Sequence, residues 1–125
     1  MKFMNRYLSA LILLTPFCLD ITFANEQPLI GLWQKIGEVE FLEIKEHEGR
    51  VSGKIIRADW QPQLEGKTVF YISSYNPSMS RWDAIVVDER GDERSGKIRL
   101  SKGSLVITSK GRKRTNWVKA SLDDW

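Results

Sequence analysis

Between Ile30 and Ala120 the chain repeats one unit, a run of six to eight residues rich in β-branched and aromatic side chains followed by a turn. Such spacing predicts short antiparallel strands. The runs are Ile30–Ile36, Val39–Glu46, Val51–Arg57, Thr68–Tyr75, Arg81–Val87, Arg94–Leu100, Ser104–Ser109 and Lys113–Ala120. Between them lie Glu48-Gly49-Arg50, Asn76-Pro77-Ser78 and turns centred on Gly91, Gly103 and Gly111. The longest connection, Asp59 to Lys67, contains Pro62 and Gly66 and reads as a loop. After Pro28 no window of ten or more residues carries apolar positions at i, i+3, i+4 and i+7, so no long helix is expected. An open sheet of these strands would leave two unpaired edges, and closure removes them. The expected fold is all-β: an antiparallel up-and-down meander closing into a small barrel of roughly eight strands, an interior just wide enough to be filled by side chains or to hold one small ligand.

The pattern before Pro28 is different. Lys2 and Arg6 precede a charge-free run from Tyr7 to Leu19, and Thr22-Phe23-Ala24 offers small residues at both positions of an A-x-A-like cleavage site. Residues 1–24 therefore read as a secretory signal peptide and 25–125 as a single β-barrel domain. The apolar run falls short of the roughly 20 residues a membrane-spanning helix needs, so no transmembrane segment is expected after cleavage. The expected location is the bacterial periplasm, or the medium if secretion is complete. Cys18, the one cysteine, lies inside the leader. Phe17 stands before it, where a lipoprotein signal places a small residue. The mature domain is thus expected to hold together without disulfides, by its core and its sheet pairing.

Charge adds little. Without the leader, 17 basic and 15 acidic residues remain and the formal charge falls from +3 to +2. A nearly balanced domain gives no general attraction for nucleic acid, and none is expected as a partner.

Gly31-Leu32-Trp33 at the start and Arg114-Thr115-Asn116-Trp117 near the end make the Gly-x-Trp opening and Arg-Thr-x-x-Trp closing of one barrel type. With Gly49, Gly53, Lys54 and Ile55 as a Gly-x-x-x-Gly-Lys-Ile hairpin, the chain resembles a family of small exported bacterial proteins of uncharacterised function. That family has a lipocalin-like (calycin-like) barrel. The resemblance implies a fold and lends no reaction.

Catalytic constellations are not expected. His47, the single histidine, sits between Glu46 and Glu48 at a hairpin tip and has neither a second histidine nor a mature cysteine to build a zinc site. Glu40 with Glu43, or Asp83 with Asp88, would serve as an acid and base pair only if a cleft brought them face to face. No cofactor is implied. Aromatic residues carry more weight: Trp33 and Trp117, on strands that closure makes neighbours, are expected to plug one barrel end, with Arg114 or Lys119 as a cation over Trp33. Trp60, in the longest loop, and Phe70, Tyr71, Tyr75 and Trp82 are the candidate ligand-binding residues.

Both faces of the 68–87 hairpin read as apolar, with Phe70 and Ile72 on one side of the fourth strand and Val69, Tyr71 and Tyr75 on the other. An outer apolar face needs a cover, which the Asp59 loop, the C-terminal tail or a second molecule would supply. Lys110-Gly111-Arg112-Lys113-Arg114 concentrates four positive charges at one turn. The principal reading is a non-enzymatic exported protein that binds a small apolar or amphipathic ligand in its barrel. The alternative is a filled barrel that meets another envelope protein, or a second copy as a homodimer, through the outer face of the 68–87 hairpin.

Overall fold

A computed structural model of the protein describes residues 24–125; all of the expected leader except its last residue lies outside them. Eight strands run in chain order: β1 Gly31–Lys35, β2 Glu40–His47, β3 Arg50–Ala58, β4 Thr68–Asn76, β5 Arg81–Val87, β6 Glu93–Ser101, β7 Ser104–Ser109 and β8 Thr115–Lys119. Each pairs antiparallel with the next. β1 pairs with β8, Trp33 opposite Lys119 and Lys35 opposite Trp117, so the meander closes into a barrel. Short 3-10 turns lie at Ala24–Leu29, Pro62–Leu64 and Leu122–Asp124. Among the described residues no helix is long and apolar enough to cross a membrane.

Two hairpins show how the turn sequences set the register. Glu48-Gly49 and Lys102-Gly103 all adopt positive φ, at 53° and 79° and at 52° and 82°. Two-residue loops with this geometry match the right-handed twist of the strands they join, and glycine takes the second position without steric cost.

The two ends of the barrel differ. At one end lie the β2–β3, β4–β5 and β6–β7 turns together with the N-terminal 3-10 turn, and here the interior is sealed. Leu29 is fully buried, and its carbonyl accepts a hydrogen bond of 2.9 Å from Trp33 Nε1. Lys119 Nζ stands 4.7 Å from the Trp33 ring centroid and donates to the Ile30 carbonyl at 2.7 Å. A Cβ at Gly31 would come within 2.7 Å of that ammonium nitrogen. The glycine two residues before Trp33 therefore makes room for the lysine.

This arrangement chooses between the two expected cations and corrects one expectation. The cation over Trp33 is Lys119, while Arg114 is exposed in the β7–β8 connection. Register explains it, since Trp33 lies opposite Lys119 and β8 begins only at Thr115. Trp117 does face inward, but it stands opposite Lys35, towards the other end, so Trp33 and Trp117 do not plug the same end.

Large and small inner residues alternate around the filled half. Phe70 lies opposite Gly53, and a side chain at Gly53 would collide with its ring. A register shift between Ile72 and Ser74 inserts one residue into β4. The insertion reverses the inward and outward parity of the rest of the strand, as β-bulges do. Tyr75 consequently packs against the core beside Trp82, ring centroids 5.1 Å apart, instead of sharing the outer face with Tyr71.

Outside the barrel, the C-terminal tail folds back over β2. Trp125 meets Phe41 edge-on at 5.7 Å, and Arg57 Nη1 donates to the Trp125 carbonyl at 3.2 Å. The expected cover is present, but over Phe41. On the 68–87 hairpin, Tyr71 lies under the Arg50 guanidinium at 4.3 Å, and the exposed large apolar side chain of that segment is Met79, in the turn.

Trp33→Ala is expected to lower stability by about 3–5 kcal/mol, the usual cost of truncating a buried tryptophan, whereas Trp60→Ala should shift a urea midpoint little. Gly53→Ala is expected to cost about 1–3 kcal/mol through overpacking. Adding Phe70→Leu should recover part of that loss, and additive losses in the double variant would refute the Gly53–Phe70 contact.

Candidate functional site

The end of the barrel opposite Trp33 is open. The β1–β2, β3–β4, β5–β6 and β7–β8 connections surround a cavity of about 170 Å³. Its apolar wall comes from inward positions near the mouth ends of the strands: Ile55, Val69, Val86, Ile107 and Trp117. Gly96 helps hold this wall, because any side chain there would collide with Val86. The Trp117 indole is oriented by a hydrogen bond of 3.0 Å from Nε1 to Thr115 Oγ1.

Leu64 completes the wall from the long β3–β4 loop. That loop is pinned to its own strand at three points. Ile55 N donates to the Lys67 carbonyl at 2.9 Å and Gly66 N to the Ile55 carbonyl at 2.7 Å. The buried amide of Ala58 donates to Glu65 Oε2 at 3.0 Å.

The rim is charged. Asp88, whose side chain is 3% exposed, organises the β5–β6 turn. It accepts hydrogen bonds from the amides of Asp92 at 2.9 Å and Arg90 at 3.0 Å, and it faces Arg112 Nη1 at 3.6 Å and Arg94 Nε at 3.7 Å. Burial alone would favour its neutral form, but those two amides, then Arg112 and Arg94, outweigh it and hold the carboxyl below its ordinary value. Glu89 pairs with Arg112 at 3.1 Å.

Glu40 is the opposite case. It is 5% exposed and lines the cavity. Its nearest cationic partner is Lys35 Nζ at 3.9 Å, and Lys35 is shared with Glu38 at 3.4 Å. Burial raises its pKa, Lys35 offsets this in part, and Glu38 adds to the rise.

The aromatic residues expected at the ligand site are elsewhere. Trp60 is 63% exposed and ties the β3–β4 loop to the β1–β2 loop by a hydrogen bond of 3.1 Å from Nε1 to Glu38 Oε2. Phe70, Tyr75 and Trp82 belong to the filled half, and Tyr71 faces outward. None of these five lines the cavity, whereas Trp117, expected as a plug, does. The signal in the sequence was positional: inward residues in the mouth-side halves of β3, β5 and β7, namely Ile55, Val86 and Ile107, are medium-sized.

The carboxylate pairs do not converge. Glu40 points into the barrel, while Glu43 faces outward beside Lys45 at 3.6 Å. Asp83 sits beside Arg81 at 3.6 Å, away from the rim turn that Asp88 organises. His47 is exposed at the sealed end, 3.6 Å from Glu48. Among the described residues no group of three or more His, Cys, Asp or Glu side chains is placed to hold a metal ion.

No family model, curated protein or solved structure matches this chain. The cavity and its rim are thus the ground for a functional reading.

A carboxyl whose folded-state pKa is raised leaves stability intact below its ordinary value, about 4.3 for glutamate, and costs stability as pH rises through the folded value. Glu40→Gln should therefore match the wild type in acid and become the more stable of the two towards neutral pH. Urea unfolding at the two pH values checks this, and a difference of the opposite sign at neutral pH would refute it.

Proposed function

We propose that the protein is a non-enzymatic, exported binding protein of lipocalin-like type that holds a small apolar or amphipathic ligand in the open mouth of its barrel. The observation that carries this reading is the cavity, apolar along its wall and charged at its rim, left at the mouth of a barrel whose other half is filled. At about 170 Å³ it is comparable to an engineered apolar cavity of about 150 Å³ that takes up benzene. Pockets for drug-sized molecules run from about 300 Å³ upward. The fitting ligand is therefore one small molecule, or the end of a longer apolar chain.

Several features support the rest of the reading. The leader-like pattern of residues 1–24 favours export, with the periplasm as destination. The Gly-x-Trp opening, with Lys119 over Trp33, suits the lipocalin-like resemblance. Opposed orientations of Glu40 and Glu43 argue against an acid and base pair, and so for binding without chemistry. The alternative, a partner or homodimer surface on the outer face of the 68–87 hairpin, draws less support because Tyr71 there is already covered by Arg50.

Filling the cavity tests the proposal. Benzene added to the mature protein should shift the methyl NMR signals of Ile55, Val86 and Ile107, and Val86→Phe should abolish the response while the circular dichroism of the barrel is retained. A wild-type protein whose mouth methyl signals do not respond to saturating benzene would overturn it.

A further inference from the structure

Taking the mouth cavity as the ligand site, we propose that it selects a carboxylate: a compact apolar body against Trp117, Ile107 and Val86, with an anionic head group met by Lys67 and Lys113. The argument is a comparison of which charged groups at the mouth are already satisfied. Asp88 is committed to two backbone amides and two guanidinium groups. Glu89 is paired with Arg112. Glu40 faces the cavity with a single ammonium group 3.9 Å away, and burial disfavours its charged form. Of the three acidic groups that line the cavity, two are thus paired with cations, and the third, Glu40, is one whose charged form burial disfavours.

The cations differ. Lys35 is shared between Glu38 and Glu40, and Arg112 between Asp88 and Glu89. Lys67 and Lys113 line the same cavity, and neither forms a salt bridge with an acidic group among the described residues. Lys67 donates only to the Glu89 carbonyl, at 3.5 Å. These two lysines line a cavity with an apolar wall and have donors to spare. An ammonium-bearing ligand would meet unneutralised positive charge, and a neutral one would leave both lysines unused. A carboxylate gains charge-assisted hydrogen bonds from them while its chain occupies the cavity.

Glu40 fits the same picture. In its neutral form it donates one O–H, which a carboxylate oxygen can accept. The groups facing it are Lys35 from β1 and Glu38 from the β1–β2 loop, with Lys67, Asp88, Glu89, Arg112 and Lys113 around the rest of the mouth.

Three six-carbon probes separate the possibilities: hexanoate, 1-hexanol and hexylamine, titrated calorimetrically into the mature protein at neutral pH and low salt. Hexanoate should bind about tenfold more tightly than hexanol, as one or two charge-assisted contacts allow, and hexylamine most weakly. The preference for hexanoate should shrink as salt is raised. In Lys67→Met/Lys113→Met, both changes being at exposed positions, the ratio of hexanoate to hexanol affinity should fall to about one. Equal binding of hexanoate and hexanol by the wild type, tightest binding of hexylamine, or an unchanged ratio in the double variant would overturn the carboxylate assignment and leave the cavity reading in place. Failure of all three probes to bind would overturn both.

Discussion

Closure of the sheet through the β1–β8 ladder is the constraint on which the rest of this structure depends. Three residue pairs, from Trp33–Lys119 to Lys35–Trp117, turn an eight-strand meander with two raw edges into a barrel with none. No disulfide is available to the described residues, so the seam is held by its backbone hydrogen bonds and by the cluster beneath it. There Leu29, Trp33 and Lys119 tie the N-terminal turn, the first strand and the last into one unit. Removing Trp33 would loosen all three at once.

Closure also fixes how much room exists inside. An eight-stranded barrel leaves space for side chains or for one small guest, and this chain divides that space along the axis. In the sealed half, Phe70 opposite Gly53 and Trp82 beside Tyr75 fill the bore. Nearer the mouth the inward residues are aliphatic, with Trp117 as the one large aromatic, and the remaining volume becomes the cavity. The β4 bulge contributes to this division by turning Tyr75 inward, where its ring adds to the filled half.

At the mouth, the partners that each buried carboxyl finds, rather than the number of charges, decide what it does. Surface pairs such as Lys45–Glu43 contribute about 0–1 kcal/mol and locate nothing. Asp88 and Glu40 are both buried carboxyls on the rim, yet their surroundings push them in opposite directions. Asp88 receives two amides and two guanidinium groups and stays charged as a turn organiser. Glu40 has one shared lysine and is driven towards the neutral form. Near-neutrality of the whole domain therefore conceals a mouth whose lining acids are paired or disfavoured as anions, and where Lys67 and Lys113 form no salt bridge among the described residues.

The strand pattern and the turn chemistry were legible in the sequence because both are local. Alternation with period two and glycine at the turns set eight strands in their observed order, and two open edges made closure the economical outcome. Inner and outer faces were legible only as far as the first irregularity: one extra residue in β4 moved Tyr75 from the expected face to the other. The location of the site was not legible. Most aromatic residues marked the filled half, because large rings occupy volume, whereas the cavity lies where medium-sized side chains from four strands and one loop meet Trp117. Trp33 had two candidate cations, Arg114 before β8 and Lys119 on it, and only the β1–β8 register chose Lys119. The sequence by itself determined the elements, their order and the number of strands to be closed, since these depend on neighbours along the chain. Which residues meet, which carboxyl has its pKa raised and where space is left depend on contacts between distant segments, and those only the tertiary structure decided.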